Sequence, residues 1–346
     1  MIGVVCEFRD EQDHACFTWS QGPASFNPYQ LEPQSYVEFH ELVLEARRKL
    51  SNLVSDCLTC EANLPRASFE LAEVGYELYR RIFDPGADAA GRAREIRGWL
   101  DNLTRTKAVD TLEVVDNRPG TIPWNVVYDR KPDEQAFLAN DESTTRWKPF
   151  WAVRYDLTAG RKVNPLRRMP TLVDPHALLV IDLEILHRLP DDQQQRLRRF
   201  VDLHQLTIVS SKDELIHEAA QQRPDLIYWL SHATPATLVL RDEEISPRQL
   251  KQLLRGDDPD VPYELGGIAF LNGCCTAERH NTGCFFDAFD NVGFSGMIGT
   301  EHQIIDTFAN PMGLEFLEGF LIKHESLGKV MRRLHARVPL GLLYGT

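Results

Sequence analysis

The chain has 346 residues, 51 acidic against 38 basic, a net charge of −13, and a hydrophobic content of 43%. That length and apolar content support one large or two ordinary cores, while the acidic balance excludes a binder of phosphate backbones, which needs a basic face. No run of 18 or more apolar residues and no charged-then-apolar leader is readable, so a cytoplasmic protein with no membrane partner is expected.

Taken in order, residues 2–8 and 15–19 read as two strands joined by an acidic turn. A Pro/Gln/Ser-rich connection leads to an amphipathic helix over 36–54. Cys57 and Cys60 then form a CxxC. A structural zinc site needs two further ligands at the right spacing and a redox pair needs a preceding βαβ unit, so both read as reduced thiols. The odd cysteine count, 7, fits that reading and leaves at least one thiol free for chemistry.

Helical periods follow over 67–83, ended by Asp84-Pro85-Gly86, and over 89–104. Residues 112–115 are a strand candidate, and the turn 118–123 delivers Trp124, which reads as a packing anchor. Residues 131–148 read as a polar surface loop with a short helix, and 150–155 as a returning strand. A basic, proline-punctuated linker over 160–175 separates the two halves. Beyond it the pattern alternates: strand 177–181, helix 191–203, strand 206–209, helix 212–222, strand 226–231. That rhythm predicts a mostly parallel sheet covered on both faces, with right-handed crossovers. A short strand at 237–240, a helix capped by Ser246 with Pro247 at its first position, and an acidic loop at 257–260 come next. Then come the strand beginning at Ile268, a helix from about Asn281, a strand at 297–299 and two closing helices over 307–337.

Two apolar runs stop abruptly in polar or small residues: Leu226-Ile-Tyr-Trp-Leu-Ser-His232-Ala233 and Ile268-Ala-Phe-Leu-Asn-Gly273-Cys274-Cys275-Thr-Ala277. As parallel neighbours their carboxyl ends lie side by side, which brings an imidazole next to a thiol. A thiol nucleophile needs a base and donors for the developing oxyanion. Gly273 lets the backbone approach a substrate carbonyl without a Cβ in the way. Alternation along a strand turns Cys274 and Cys275 to opposite faces, so only one of them can meet His232. His280, on the exit loop, reads as a solvated histidine, and His302 as a residue of the pocket rim. No HExxH, paired CxxC or phosphate-binding glycine loop supports a metal or other cofactor.

The order of His232 before Cys274, in Leu-Ser-His-Ala and Phe-Leu-Asn-Gly-Cys-Cys-Thr-Ala, resembles the CHAT subgroup of caspase-like peptidases, which is related to separases. Ile122-Pro-Trp-Asn125, Gly296-Met-Ile-Gly-Thr300 and Leu342-Leu-Tyr-Gly345 match further elements of that family in order. The resemblance implies an α/β fold: a caspase-like three-layer αβα sandwich with a mostly parallel central sheet over 166–346. It also implies a degenerate α/β half over 64–165, which leaves an amino-terminal hairpin and helix over 1–63. It implies a His232–Cys274 dyad, with Cys274 the nucleophile and backbone N–H groups at Gly273 and Ala233 as oxyanion donors. The expected activity is cleavage of one protein substrate in bacterial defence or stress, on a signal such as an activating protein partner. In separases an acidic residue after the next core strand reads a basic side chain before the cut; Asp306, or Glu301, stands at about that place. Asp306 also fits a helix cap, a role worth about 1 kcal/mol. The alternative function is a scaffold or regulator that keeps the fold and binds protein partners with the thiol unused.

Overall fold

The structure, a computed structural model, describes residues 3–11, 14–59, 61–87, 89–118, 122–139, 144–160, 175–222, 224–241, 243–255, 266–279 and 283–345. Cys60, most of the 160–175 linker, the 257–260 loop, His280 and the helix start at Asn281 lie outside these residues. The chain divides into two compact units, one of Met1–Lys162 with Met331–Gly345 and one of Val163–Val330.

In the first unit, β1 (Val4–Glu11) and β2 (His14–Gln21) form the expected hairpin, extended by β3 (Ala24–Ser25) and β4 (Tyr29–Gln30) on the far edge of β2. The helices α1 (Pro33–Thr59), α2 (Leu64–Ile82) and α3 (Ala90–Arg105) follow. Cys57 is one position in the last turns of α1. β5 (Thr111–Asp116) joins β1 in parallel. A 3-10 turn at Trp124–Val126 then precedes two short helices, α4 (Glu134–Leu138) and α5 (Trp151–Arg154), and β6 (Asp156–Gly160) adds in parallel to β5. Val4, Cys6 and Phe8, two apart, are fully buried. Phe8 and Phe17 pack on Phe39 of α1, and Trp124 stacks on Trp151 with ring centroids 6.3 Å apart. Trp124 is therefore a core residue.

The expected strand at 150–155 is instead one helical turn, and the strand comes after it. The run Phe-Trp-Ala-Val-Arg-Tyr has no period that separates a strand from a buried helix. Its backbone closes on itself, with Arg154 N–H donating to Phe150 O at 2.9 Å and Tyr155 N–H to Trp151 O at 2.8 Å. Trp151 and Tyr155, four apart, then share one buried face.

The second unit alternates as the sequence predicts. Its elements are β7 (Ala177–Ile181), α6 (Leu183–Arg188), α7 (Asp191–His204), β8 (Thr207–Val209), α8 (Lys212–Gln222) and β9 (Leu226–Leu230). A small hairpin, β10 (Leu238–Leu240) and β11 (Glu243–Ile245), leads into α9 (Pro247–Arg255). Then come β12 (Ile268–Leu271), α10 (Phe285–Asn291), β13 (Gly296–Thr300), α11 (Asp306–Leu317) and the start of α12 (Leu327–His335), whose residues from Met331 on belong to the first unit. A capping box opens α9: Gln249 N–H donates to Ser246 Oγ, and Ser246 N–H donates back to Gln249 Oε1 at 2.9 Å.

The sheet order is β13-β12-β9-β7-β8, and the adjacent pairs are parallel. Alternation divides its faces. Leu178 and Val180, Ile227 and Trp229, Ala269 and Leu271 share one core with Leu215 of α8, Leu250 and Leu254 of α9, and Phe285 and Phe289 of α10. From the opposite face, Tyr228 packs on Phe270 and Phe270 on Phe316 of α11, with centroids 5.5 and 4.6 Å apart. Helices therefore cover both faces, as all-parallel sheets require.

Candidate active site

β9 and β12 run side by side in parallel with Leu226 opposite Ile268 and Trp229 opposite Leu271. Asn272 N–H extends the ladder one residue, donating to Trp229 O at 2.7 Å. Just beyond it, Gly273 approaches Ser231 and Ala233. Gly273 is needed for that approach, since a Cβ there would lie 2.6 Å from Ser231 O and 3.0 Å from Ala233 Cβ. The glycine thus serves the meeting of the two strand exits, where the sequence suggests room for a substrate. Ala233 is fixed by a bridge to Leu238.

The strand ends at Leu271, and the two cysteines sit on a tight turn beyond it. Buried polar side chains hold that turn. Asn272 Nδ2 donates to Tyr228 OH at 2.9 Å and to Ala309 O of α11 at 2.7 Å. Thr276 Oγ1 faces Leu271 O at 2.9 Å and Gly273 O at 3.2 Å, and it accepts from Thr300 N–H at 3.0 Å. Thr300 Oγ1 donates to Gly273 O, and Ala277 N–H donates to Thr300 O at 3.0 Å. Cys275 takes a left-handed backbone, φ +57°. Strand alternation therefore does not separate the two thiols; the turn does. Cys274 Sγ faces the backbone of Ile304, accepting from its N–H at 3.5 Å and lying 3.7 Å from its carbonyl oxygen. Cys275 Sγ lies 3.9 Å from His302 Nδ1, and Cys275 N–H donates to His302 O at 3.1 Å.

Burial pushes the half-buried Cys274 thiol above its usual range. The Ile304 amide opposes that shift and the negative charge of Asp306 adds to it. Asp306 is therefore an electrostatic neighbour of the thiol. It is the first residue of α11, not its cap: Ile305 holds the cap position and makes no side-chain bond there. Glu301, directly after β13, is buried.

His232 lies two residues beyond the end of β9. Its Nε2 meets the guanidinium of Arg188, at the end of α6. That helix hangs from the same sheet edge. Asp182 N–H donates to Leu230 O at 2.9 Å, two residues before His232, and the Asp182 side chain caps α6 by accepting from Glu184 N–H at 2.9 Å. Sequence reasoning missed Arg188 and Ile304. The first ends a helix too short to show a period, and the second acts through its backbone. Among the described residues no cluster of three or more His, Cys, Asp or Glu could hold a metal ion, and no helix is long and apolar enough to cross a membrane.

This arrangement defines a class: the unit has the caspase-like α/β fold. The crystal structure of the Saccharomyces cerevisiae separase–securin complex matches 99% of this chain and 30% of the separase chain, with a TM-score of 0.52 and 9% identity. In sequence, the chain is 22% identical over 343 aligned residues to a probable protease of Vitiosangium sp. (strain GDMCC 1.1324), covering 82% of this chain and 43% of that protein. The chain thus spans less than half the length of that curated relative. No protein-family model matches it.

Proposed function

We propose that the chain is a cysteine endopeptidase of the CHAT type that cuts a protein substrate through His232 and Cys274. The observation that carries the reading is that β9 and β12, the strands whose continuations carry His232 and Cys274, are parallel neighbours. The relative named a probable protease and the separase-like fold support it. In the proposed reaction His232 takes the thiol proton and the Cys274 thiolate adds to the scissile carbonyl. Backbone N–H groups at Gly273 and Ala233 receive the oxyanion, and His232 returns the proton to the leaving amine. Water then hydrolyses the thioester. Asp306, with Glu301 as the alternative, would receive a Lys or Arg side chain before the cut. No metal or cofactor enters the scheme, and nucleic acid and membrane have no part in it. The setting proposed by resemblance is the cytoplasm, in bacterial defence or stress response.

A resting thiol held protonated against the Ile304 backbone, with the histidine turned to Arg188, favours activation by a protein partner that rearranges the site. The same observation favours a second reading, a scaffold with the thiol unused. An electrophilic peptide probe decides between them. The peptidase, once activated, is labelled stoichiometrically at Cys274, and new substrate amino termini vanish in Cys274→Ala and His232→Ala but persist in Cys275→Ala. A scaffold is not labelled. Full activity in Cys274→Ala would overturn the assignment of the nucleophile.

A further inference from the structure

We propose that Arg188 is a positioning residue that withholds the base: it holds His232 Nε2 in the resting chain, and the dyad forms only when the guanidinium leaves. The inference rests on the reading of His232 and Cys274 as a dyad and extends it to the control of that site.

The argument starts from proton bookkeeping. A guanidinium is charged at every accessible pH and has no acceptor. An imidazole nitrogen that meets it must present its lone pair, which puts the ring proton on Nδ1 and leaves Nε2 occupied. A nitrogen so engaged cannot also take the Cys274 proton. The thiol, meanwhile, has its contacts with the Ile304 backbone at 3.5 and 3.7 Å, not with the histidine. The two halves of the dyad are therefore each engaged elsewhere.

Arg188 is placed to do this by the fold. The capped helix α6 is tied to the last residue of β9 through Asp182 N–H and Leu230 O, so its final turn stands over the exit that carries His232. The side chain itself is exposed. It can swing into solvent without uncovering core, and a carboxylate is the acceptor a guanidinium prefers to a neutral imidazole.

The test reads the rate at which a neutral alkylating reagent, iodoacetamide, modifies Cys274 at pH 7, followed by peptide mass in a Cys275→Ser background. Arg188→Gln and Arg188→Ala are expected to raise that rate about tenfold, as Nε2 becomes free to take the thiol proton, while Arg188→Lys keeps it near the natural value. In chains that also carry His232→Ala the gain is expected to vanish, because Arg188 acts through the histidine. A rate unchanged or lowered in folded Arg188→Gln overturns the proposal. So does a gain that persists without His232, or one that Arg188→Lys shows equally. The outcome separates from that of the peptidase reading. A His232-dependent gain with no peptide cut keeps the latch and defeats the peptidase, whereas cleavage by the natural chain with no gain in Arg188→Gln does the reverse.

Discussion

Thr276 is the test of how the cysteine turn is held. Thr276→Val keeps the shape of a fully buried side chain and removes only its hydroxyl. That hydroxyl donates toward Leu271 O and Gly273 O and accepts from Thr300 N–H, at 2.9, 3.2 and 3.0 Å. Removing it leaves a buried amide without its acceptor and a carbonyl without its donor, at about 1–3 kcal/mol each, so a total loss of about 2–6 kcal/mol is expected. For a unit of this size each kcal/mol lowers the melting temperature by about 2–4 °C, which puts Thr276→Val about 4–24 °C below the natural chain. Thr276→Ser is the control: it keeps the hydroxyl and loses one methyl group, worth about 1 kcal/mol. Melting followed by circular dichroism, with Cys274 alkylation measured alongside, gives both readouts. If the valine variant melts no lower than the serine variant, the hydroxyl does not hold the turn and the account of this site is wrong.

Two further substitutions probe the surroundings. Gly313→Ala sets a Cβ onto the Tyr228 hydroxyl and within 2.7–2.8 Å of its ring carbons; that ring is buried and bonded to Asn272, so overpacking of about 1–3 kcal/mol should outweigh the helix propensity gained from alanine, about 1 kcal/mol. A variant as stable as the natural chain, by melting, would show that the Tyr228 ring can move. Asp129, 2.8 Å from Arg154, has its carboxyl pushed up to about 7 because burial outweighs the attraction of Arg154. An acid raised on folding binds more protons folded than unfolded, so its contribution is complete below about pH 4 and is lost as pH rises through 7. Asp129→Asn should flatten the fall in melting temperature between pH 5 and 8; an unchanged slope contradicts the assignment.

The sheet of the second unit was legible because buried parallel strands are short continuous apolar runs, and 177–181, 226–230 and 268–271 have that form. The turn after Leu271 was harder to read. Asn272-Gly-Cys-Cys-Thr looks like the tail of a strand, and only the bonds of Asn272 and Thr276 to other elements show it as a braced corner. Gly273 could be recognised as a close approach, but not by which partner, since Ser231 and Ala233 are some 40 residues away in sequence. The run 150–155 misled for the opposite reason: with apolar residues on every side, periodicity carries no information. Arg188 reads as one more surface charge on a six-residue helix, and its meeting with His232 depends on how α6 folds over the exit of β9.

The charges around Cys274 suggest how substrate choice and thiol activation would be coupled. Burial and the Asp306 carboxylate both raise the thiol, and the Ile304 amide opposes them. If Asp306 receives a basic side chain, as proposed, the arriving cation offsets the charge that holds the proton on sulfur, so binding the right residue itself favours the thiolate. Discrimination between Arg and a neutral residue should then appear in kcat and not in KM alone, because part of the interaction is made only as the thiolate forms. Asp306→Asn separates the two effects. Without substrate its pH profile for Cys274 alkylation should move to lower pH, since a raising charge is gone; with substrate the preference for Arg should fall in kcat. If the alkylation profile does not move, Asp306 does not act on the thiol. If the profile moves and the kcat preference for Arg stays, the basic side chain is read elsewhere, with Glu301, buried at the start of the same loop, the next residue to change.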